Sequence, residues 1–190
     1  MSTAPAEIVR LVAQFAEHAD AYRRGDYNET ELRRDFLDPF FTTLGWDVHN
    51  RQGYAEAYRD VIHEDAIRVE RTIKAPDYGF RIGGSRKFFV EAKRPSVDVG
   101  QDAVAAFQLR RYAWTAKLPL SILTDFEQLA VYDCRVKPDK NDKASTARIL
   151  LFHYREYIDR WDEIADIFSR EAILHGAFDR FAETTKKKRG

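Results

Sequence analysis

Asp77, Glu91 and Lys93 are the residues of this 190-residue chain whose types and spacing best suit chemistry on a phosphate ester. Asp77 follows Pro76, a step of 14 residues leads to Glu91, and Ala92 separates Glu91 from Lys93. On a strand, residues i and i+2 face the same way, so Glu91 and Lys93 point together. A hairpin joining Tyr78–Ile82 to Phe88–Val90 brings Asp77, at the start of one strand, near Glu91 at the end of the other. Two carboxylates then converge beside an ammonium. Mg2+ takes hard oxygen ligands and keeps several waters, so two carboxylates plus phosphate oxygens suffice to hold it, and Mn2+ is expected to substitute. Such a cation offsets charge growing on the phosphate and lowers the pKa of a bound water. Lys93 orients that water and stabilises charge in the transition state, and the Ala92 carbonyl is a further candidate ligand. A general-base role for Lys93 requires a depressed pKa, which a sequence does not display. An aspartate and a Glu-x-Lys pair are common surface charges. Their position gives them weight here: Glu91 and Lys93 follow Phe88-Phe89-Val90, where a core strand would otherwise continue.

The elements that must position these residues can be read from periodicity. Ile8, Leu11, Val12, Phe15, Ala19 and Tyr22 recur at helical spacing and predict a helix ending near Gly25. Asn28 with Glu31 forms a capping-box pattern before a second helix marked by Leu32, Phe36, Leu37, Phe40 and Phe41. Pro39 predicts a bend or early stop inside it. Trp46–His49 reads as a strand; the polar stretch 50–66 carries no clear pattern, with Gly53–Tyr58 read as an exposed loop. Tyr78, Phe80 and Ile82 alternate up to Gly83-Gly84, and the apolar run after it predicts a central strand. Pro95 ends that strand. A helix over Ala103–Lys117 follows, with Val104, Phe107, Leu109, Tyr112 and Ala113 supplying apolar surface. Strands are predicted at Leu120–Thr124, Leu129–Tyr132 and Ile149–Phe152, a charged loop over Lys137–Thr146, and helix from about Ile158 to Phe181, interrupted at Gly176. The fold class is therefore α/β, a central mixed β-sheet flanked by helices. The expected organisation is a single domain over 1–185, with a helical part at 4–45, an α/β core at 46–154 and a helical part at 156–185.

Composition narrows the class. With 44% apolar and 33% charged residues and 13% aromatics, the chain is globular rather than disordered. Cys134 is the single cysteine, which excludes an intramolecular disulfide and a thiolate metal centre. With neither a signal peptide nor an apolar run of transmembrane length, a cytoplasmic location is expected. Net charge is zero. Lys186, Lys187, Lys188 and Arg189 supply four of the 31 basic groups, leaving 27 against 31 acidic ones in residues 1–185. Such a body does not bind a polyanion tightly without bound cations or a basic neighbour. Residues 186–190 read as a solvated basic tail or as the start of an interdomain linker.

The ordered set of motifs resembles a known family. Lys74-Ala-Pro-Asp-Tyr-Gly-Phe, then Lys87-Phe-Phe-Val-Glu-Ala-Lys-Arg-Pro, resembles the N-terminal PD-(D/E)xK nuclease domain of single-chain restriction–modification enzymes, types IIG and ISP. It is also similar to the N-terminus of the type I restriction subunit. Gln108-Leu-Arg-Arg-Tyr112-Ala-Trp114, Leu118 through Glu127, and Trp161 through Phe181 extend the resemblance over about 31–188. It implies a restriction-endonuclease-like core and a Mg2+-dependent endodeoxyribonuclease acting on double-stranded DNA. Gln108 and Tyr112 match that branch's Q-x-x-x-Y motif, and their i, i+4 spacing puts both on one helix face to contact DNA or brace the metal site. Glu31 matches a glutamate that often completes the metal shell, and its capping role stands beside that reading. Arg94 and Arg111 are expected phosphate contacts. In such enzymes, methyltransferase and target-recognition domains follow, with a helicase-like motor in some. None of their signatures occurs here, so the expectation is a cleavage module that lacks those partners and meets a second copy to break both strands. The alternatives are a complete repair-type nuclease and a non-catalytic DNA- or protein-docking module that keeps the fold.

Overall fold

The computed structural model describes residues 4–187. Helix α1 (Ala6–Tyr22) buries Ile8, Leu11 and Phe15, the stripe its periodicity predicts. Helix α2 (Glu29–Leu32) begins at Asn28, whose Oδ1 accepts from Glu31 N–H at 2.9 Å, while the Glu31 carboxylate accepts from Asn28 N–H at 2.9 Å. The chain does not stop at Pro39. Arg33–Leu37 form one wide π-helical turn, with Asp38 N–H reaching the Arg33 carbonyl, and α3 (Asp38–Thr43) continues from it. Pro39 thereby falls in the first turn of α3, where a missing N–H leaves no bond unmade.

Trp46–His49 is a turn, not the expected strand. Trp46 and Val48 are buried, which mimics strand alternation, but the Asp47 carboxylate accepts from Arg51 and Gln52 N–H at 2.8 and 3.0 Å and folds the chain back. Strand β1 (Val61–His63) lies in the polar stretch that shows no clear pattern, after the Gly53–Tyr58 loop. Two short strands, β2 (Ile67–Val69) and β3 (Thr72–Lys74), form a separate hairpin. Then come β4 (Tyr78–Ile82), β5 (Ser85–Ala92), α4 (Ala103–Thr115), β6 (Leu120–Thr124), β7 (Gln128–Asp133) and β8 (Arg148–His153). Three helices close the described chain: α5 (Trp161–Phe168), α6 (Arg170–Leu174) and α7 (Ala177–Lys187). Lys186 and Lys187 thus extend a helix, and the rest of the predicted basic tail, Lys188 to Gly190, lies outside the described residues.

The main sheet has six strands in the order β1-β4-β5-β6-β7-β8. The β5–β6 pair is parallel and the others are antiparallel, so α4 is the crossover between the parallel strands. The sheet is mixed and flanked by helices, as expected for a restriction-endonuclease-like architecture. Alternation along β5 assigns its two faces. Phe88, Val90 and Ala92 enter a core shared with α1, α3, α5 and α7, whereas Phe89 enters a second core under α4 with Leu109, Tyr112 and Leu123. Burying a phenylalanine stabilises by about 1.5–3 kcal/mol, so β5 is fixed in register by its own alternation. Val104 does not join that core; it is 78% exposed, and Ala105 and Ala106 are buried in its place.

Candidate functional site

Glu91 and Lys93 follow Phe89 on the face of β5 that α4 covers. Tyr78 pairs with Val90, so Asp77, one residue earlier, stands level with Glu91 across the β4–β5 ladder. Its Oδ2 accepts from Ala92 N–H at 2.7 Å. Main-chain groups of one residue point to the same side of a strand, so the Ala92 carbonyl also faces the Asp77 side. On the other side, Lys93 N–H donates to the Thr124 carbonyl of β6 at 2.9 Å, which extends the parallel pairing past Ala92 and holds Lys93 at the strand end.

Glu91 is 8% exposed, a charge-bearing side chain inside a sheet. Burial first, then a hydrogen bond and repulsion from Asp77, push its carboxyl well above the usual carboxylate range, with Lys93 opposing and Glu29 adding to the shift. Asp77 and Glu91 thus set two carboxylates, one of them buried, side by side. Such a pair of hard oxygen donors fits a divalent cation, whose charge would offset the repulsion between them. Among the described residues, no group of three or more His, Cys, Asp or Glu side chains forms a metal cluster by itself.

The surrounding residues divide clearly. Gln108 and Tyr112 lie on one face of α4, with Tyr112 near Glu91: its hydroxyl is pushed up by burial first and then by Glu91, with Gln108 opposing. Glu31 is engaged in the capping box. Glu29, two residues earlier and so about 200° around the helix, is the acid whose charge acts on Glu91. Arg94 Nη1 donates to the Gly25 carbonyl at 3.2 Å, and Arg111 pairs with Glu70 at 3.0 Å. Neither guanidinium points to Asp77 in these contacts.

Arg33, which no motif singled out, is the cation at Asp77. From the wide turn it places Nη1 3.5 Å from Asp77 Oδ1, and Nη2 donates to the Asp77 carbonyl at 3.1 Å. Its guanidinium lies 4.7 Å from the Tyr78 ring centroid. His63 completes the support: Nε2–H donates to the Val48 carbonyl at 2.9 Å, leaving Nδ1 to accept from Arg33 Nη2 at 3.2 Å. The Tyr78 hydroxyl donates to Asp38 Oδ1 at 2.6 Å, tying the same strand to α3. Asp77 is thus held from two directions, by β5 and by the α2–α3 turn. Only a spatial signal reveals Arg33, because it lies 44 residues upstream of its partner.

No helix among the described residues is long and apolar enough to cross a membrane. No protein-family model matches the chain, and no solved structure matches it. A curated protein does: the type II restriction enzyme and methyltransferase RM.Eco57I of Escherichia coli is 43% identical over 175 residues. The match takes in 91% of this chain but only 18% of that enzyme's length. An identity this high, spread across nearly all of the elements above, ties the chain to the single-chain restriction–modification enzymes.

Proposed function

We propose that this chain is the cleavage module of a restriction–modification enzyme, a Mg2+-dependent endonuclease of the PD-(D/E)xK type that hydrolyses DNA phosphodiester bonds. The observation that carries this reading is the meeting of Asp77 and Glu91 at the end of a buried strand, with Lys93 on the same face. Asp77 and Glu91 hold the cation, assisted by the Ala92 carbonyl. When bound, Mg2+ supplies a Lewis acid for the phosphoryl oxygen and a water of lowered pKa. Lys93 donates to the attacking water or to a phosphoryl oxygen as charge accumulates there. Arg33 fixes the Asp77 carboxylate so that its orientation does not have to be set during binding. Gln108 and Tyr112 brace Glu91 from α4 or meet the DNA. Methyltransferase and target-recognition functions belong to other parts of the parent polypeptide.

The test is nicking of supercoiled plasmid at high protein concentration with Mg2+ or Mn2+, beside calorimetry of cation binding. Nicking is expected for the wild type and is lost in Asp77→Ala and Lys93→Ala, with cation binding lost only in the former. Cation binding that survives Asp77→Ala and Glu91→Ala together overturns the assignment, and leaves a docking module with a nuclease-like fold.

A further inference from the structure

The chain between β1 and β4 is an excursion closed at its base. Glu64 N–H donates to the Asp77 carbonyl at 2.9 Å and Asp65 N–H to the Pro76 carbonyl at 3.1 Å, extending the β1–β4 ladder until the β2–β3 hairpin departs. Asp65, 1% exposed, pins this base. Its carboxylate accepts from Arg81 at 2.8 Å and from Arg86 at 2.7 and 3.0 Å, and Arg86 also donates to the Ala66 carbonyl at 3.0 Å. From there β2 and β3 pair as Ile67↔Lys74, Arg68↔Ile73 and Val69↔Thr72. Ile67 and Val69 are buried under α4, the same helix that presents Tyr112 to Glu91. Residues directly opposite share a face, so Arg68 and Ile73 stand side by side on the outer one. Ile73 is 61% exposed, and Arg68, Arg71 and Lys74 are exposed as well.

The hairpin's one acid, Glu70, is taken by Arg111 at 3.0 Å, whereas Arg68, Arg71 and Lys74 form no ion pair among the described residues. A chain of zero net charge thus gathers three unneutralised cations on one hairpin with an exposed isoleucine, the last of them three residues before Asp77. A buried ion cluster holds them in place. Their complement is a polyanion lying against the site. We propose that the exposed cations of the β2–β3 hairpin, Arg68 beside Ile73, Arg71 in the turn and Lys74 opposite Ile67 near the base, form a DNA-backbone contact surface that holds the duplex beside the scissile phosphate. Arg68, Arg71 and Lys74 meet phosphates and Ile73 packs on sugar. The proposal rests on the nuclease reading and names a surface which that reading does not require.

The experiment measures binding of a short fluorescent DNA duplex in Ca2+ by anisotropy across a salt series, together with plasmid nicking in Mg2+. It compares the wild type with the triple variant Arg68→Ala, Arg71→Ala, Lys74→Ala and with the charge-keeping triple Arg68→Lys, Arg71→Lys, Lys74→Arg. Each neutralised phosphate contributes about 0.9 to the slope of log affinity against log salt. The alanine variant should therefore bind about tenfold or more weakly with a slope shallower by about two to three, and the charge-keeping variant should recover most of both. A folded alanine variant that binds and nicks as the wild type does overturns the proposal and leaves the nuclease reading standing; the cations then serve only to keep an exposed strand edge from pairing. Hairpin-dependent duplex binding without nicking in any sample overturns the nuclease reading instead. No duplex binding by the wild type removes both.

Discussion

Glu91 carries two opposed demands, because the strand that positions it also strips it of water. A carboxylic acid whose folded pKa is raised binds its proton more tightly when folded than when unfolded. Its contribution to stability is present at acid pH and is lost as pH rises from the ordinary glutamate value of 4.5 toward the raised one. Without a divalent cation, the melting temperature should therefore fall as pH rises through this window. A cation that replaces the proton should restore it, and more strongly at pH 8 than at pH 5. Glu91→Gln keeps the shape and removes the charge, so its melting temperature should depend less on pH and no longer respond to Mg2+. Thermal melts of both proteins across pH, with and without Mg2+, check this; an identical pH slope in the two would place the titrating group elsewhere. Lys93 belongs to the same scale. It lowers the cost of the Glu91 charge, so Lys93→Met should raise the pH at which cation binding becomes half-maximal, which calorimetry reads directly.

The elements that converge on Asp77 come from three parts of the chain: the wide turn after α2, the β1–β4 ladder and the end of β5. Loss of an outer partner of a metal-holding group typically costs 10–100-fold in affinity or activity. Arg33→Ala should thus lower nicking by about that factor with little change in duplex binding, and Arg33→Lys should recover only part of it, because an ammonium cannot reach both Asp77 and His63. Equal loss of duplex binding in Arg33→Ala would make Arg33 a DNA contact instead. Gly79 tests the base of the hairpin. A Cβ there would sit 2.0 Å from Asp65 Oδ2, a collision with a carboxylate already fixed by two arginines. Gly79→Ala should destabilise by at least about 1–3 kcal/mol, read as a lowered denaturation midpoint. These supports also explain what was legible in the sequence. The β4–β5 hairpin and α4 were readable because each repeats an apolar period against a core, whereas Gln108 and Tyr112 were singled out by the family motif they match. Strand β1 and the β2–β3 hairpin were not, since three-residue strands are too short for alternation to mark them, and only β2 alternates at all. Trp46–His49 misled because Trp46 and Val48 are buried by a turn that Asp47 side-chain bonds create. Asn28 and Glu31 were readable as a cap, but which of Glu29 and Glu31 faces Glu91 depends on how the cap consumes one of them.

At the scale of the whole molecule, 31 basic and 31 acidic side chains leave no net attraction to DNA. The chain spans 18% of the length of the enzyme it matches, and on the proposed reading affinity for DNA comes from the remainder of such an enzyme. A module whose own grip is confined to one hairpin depends on a neighbour to raise its local concentration, and a flexible tether provides about millimolar effective concentration. Joining this chain through a Gly/Ser linker to an unrelated sequence-specific DNA-binding domain should therefore concentrate nicks on the flanks of that domain's site, at protein levels where the unfused chain leaves plasmid intact. On the proposed nuclease reading, one carboxylate pair cuts one strand. Nicked circles should accumulate first, and linear plasmid should rise with the second power of fusion concentration, because two fusion molecules must meet on the DNA. Asp77→Ala in the fusion must abolish both products while leaving its footprint unchanged. Linear product that appears at once and to first order on a single site would mean that two centres already come together before the DNA is bound, and the stoichiometry of the free fusion in solution would then show a dimer.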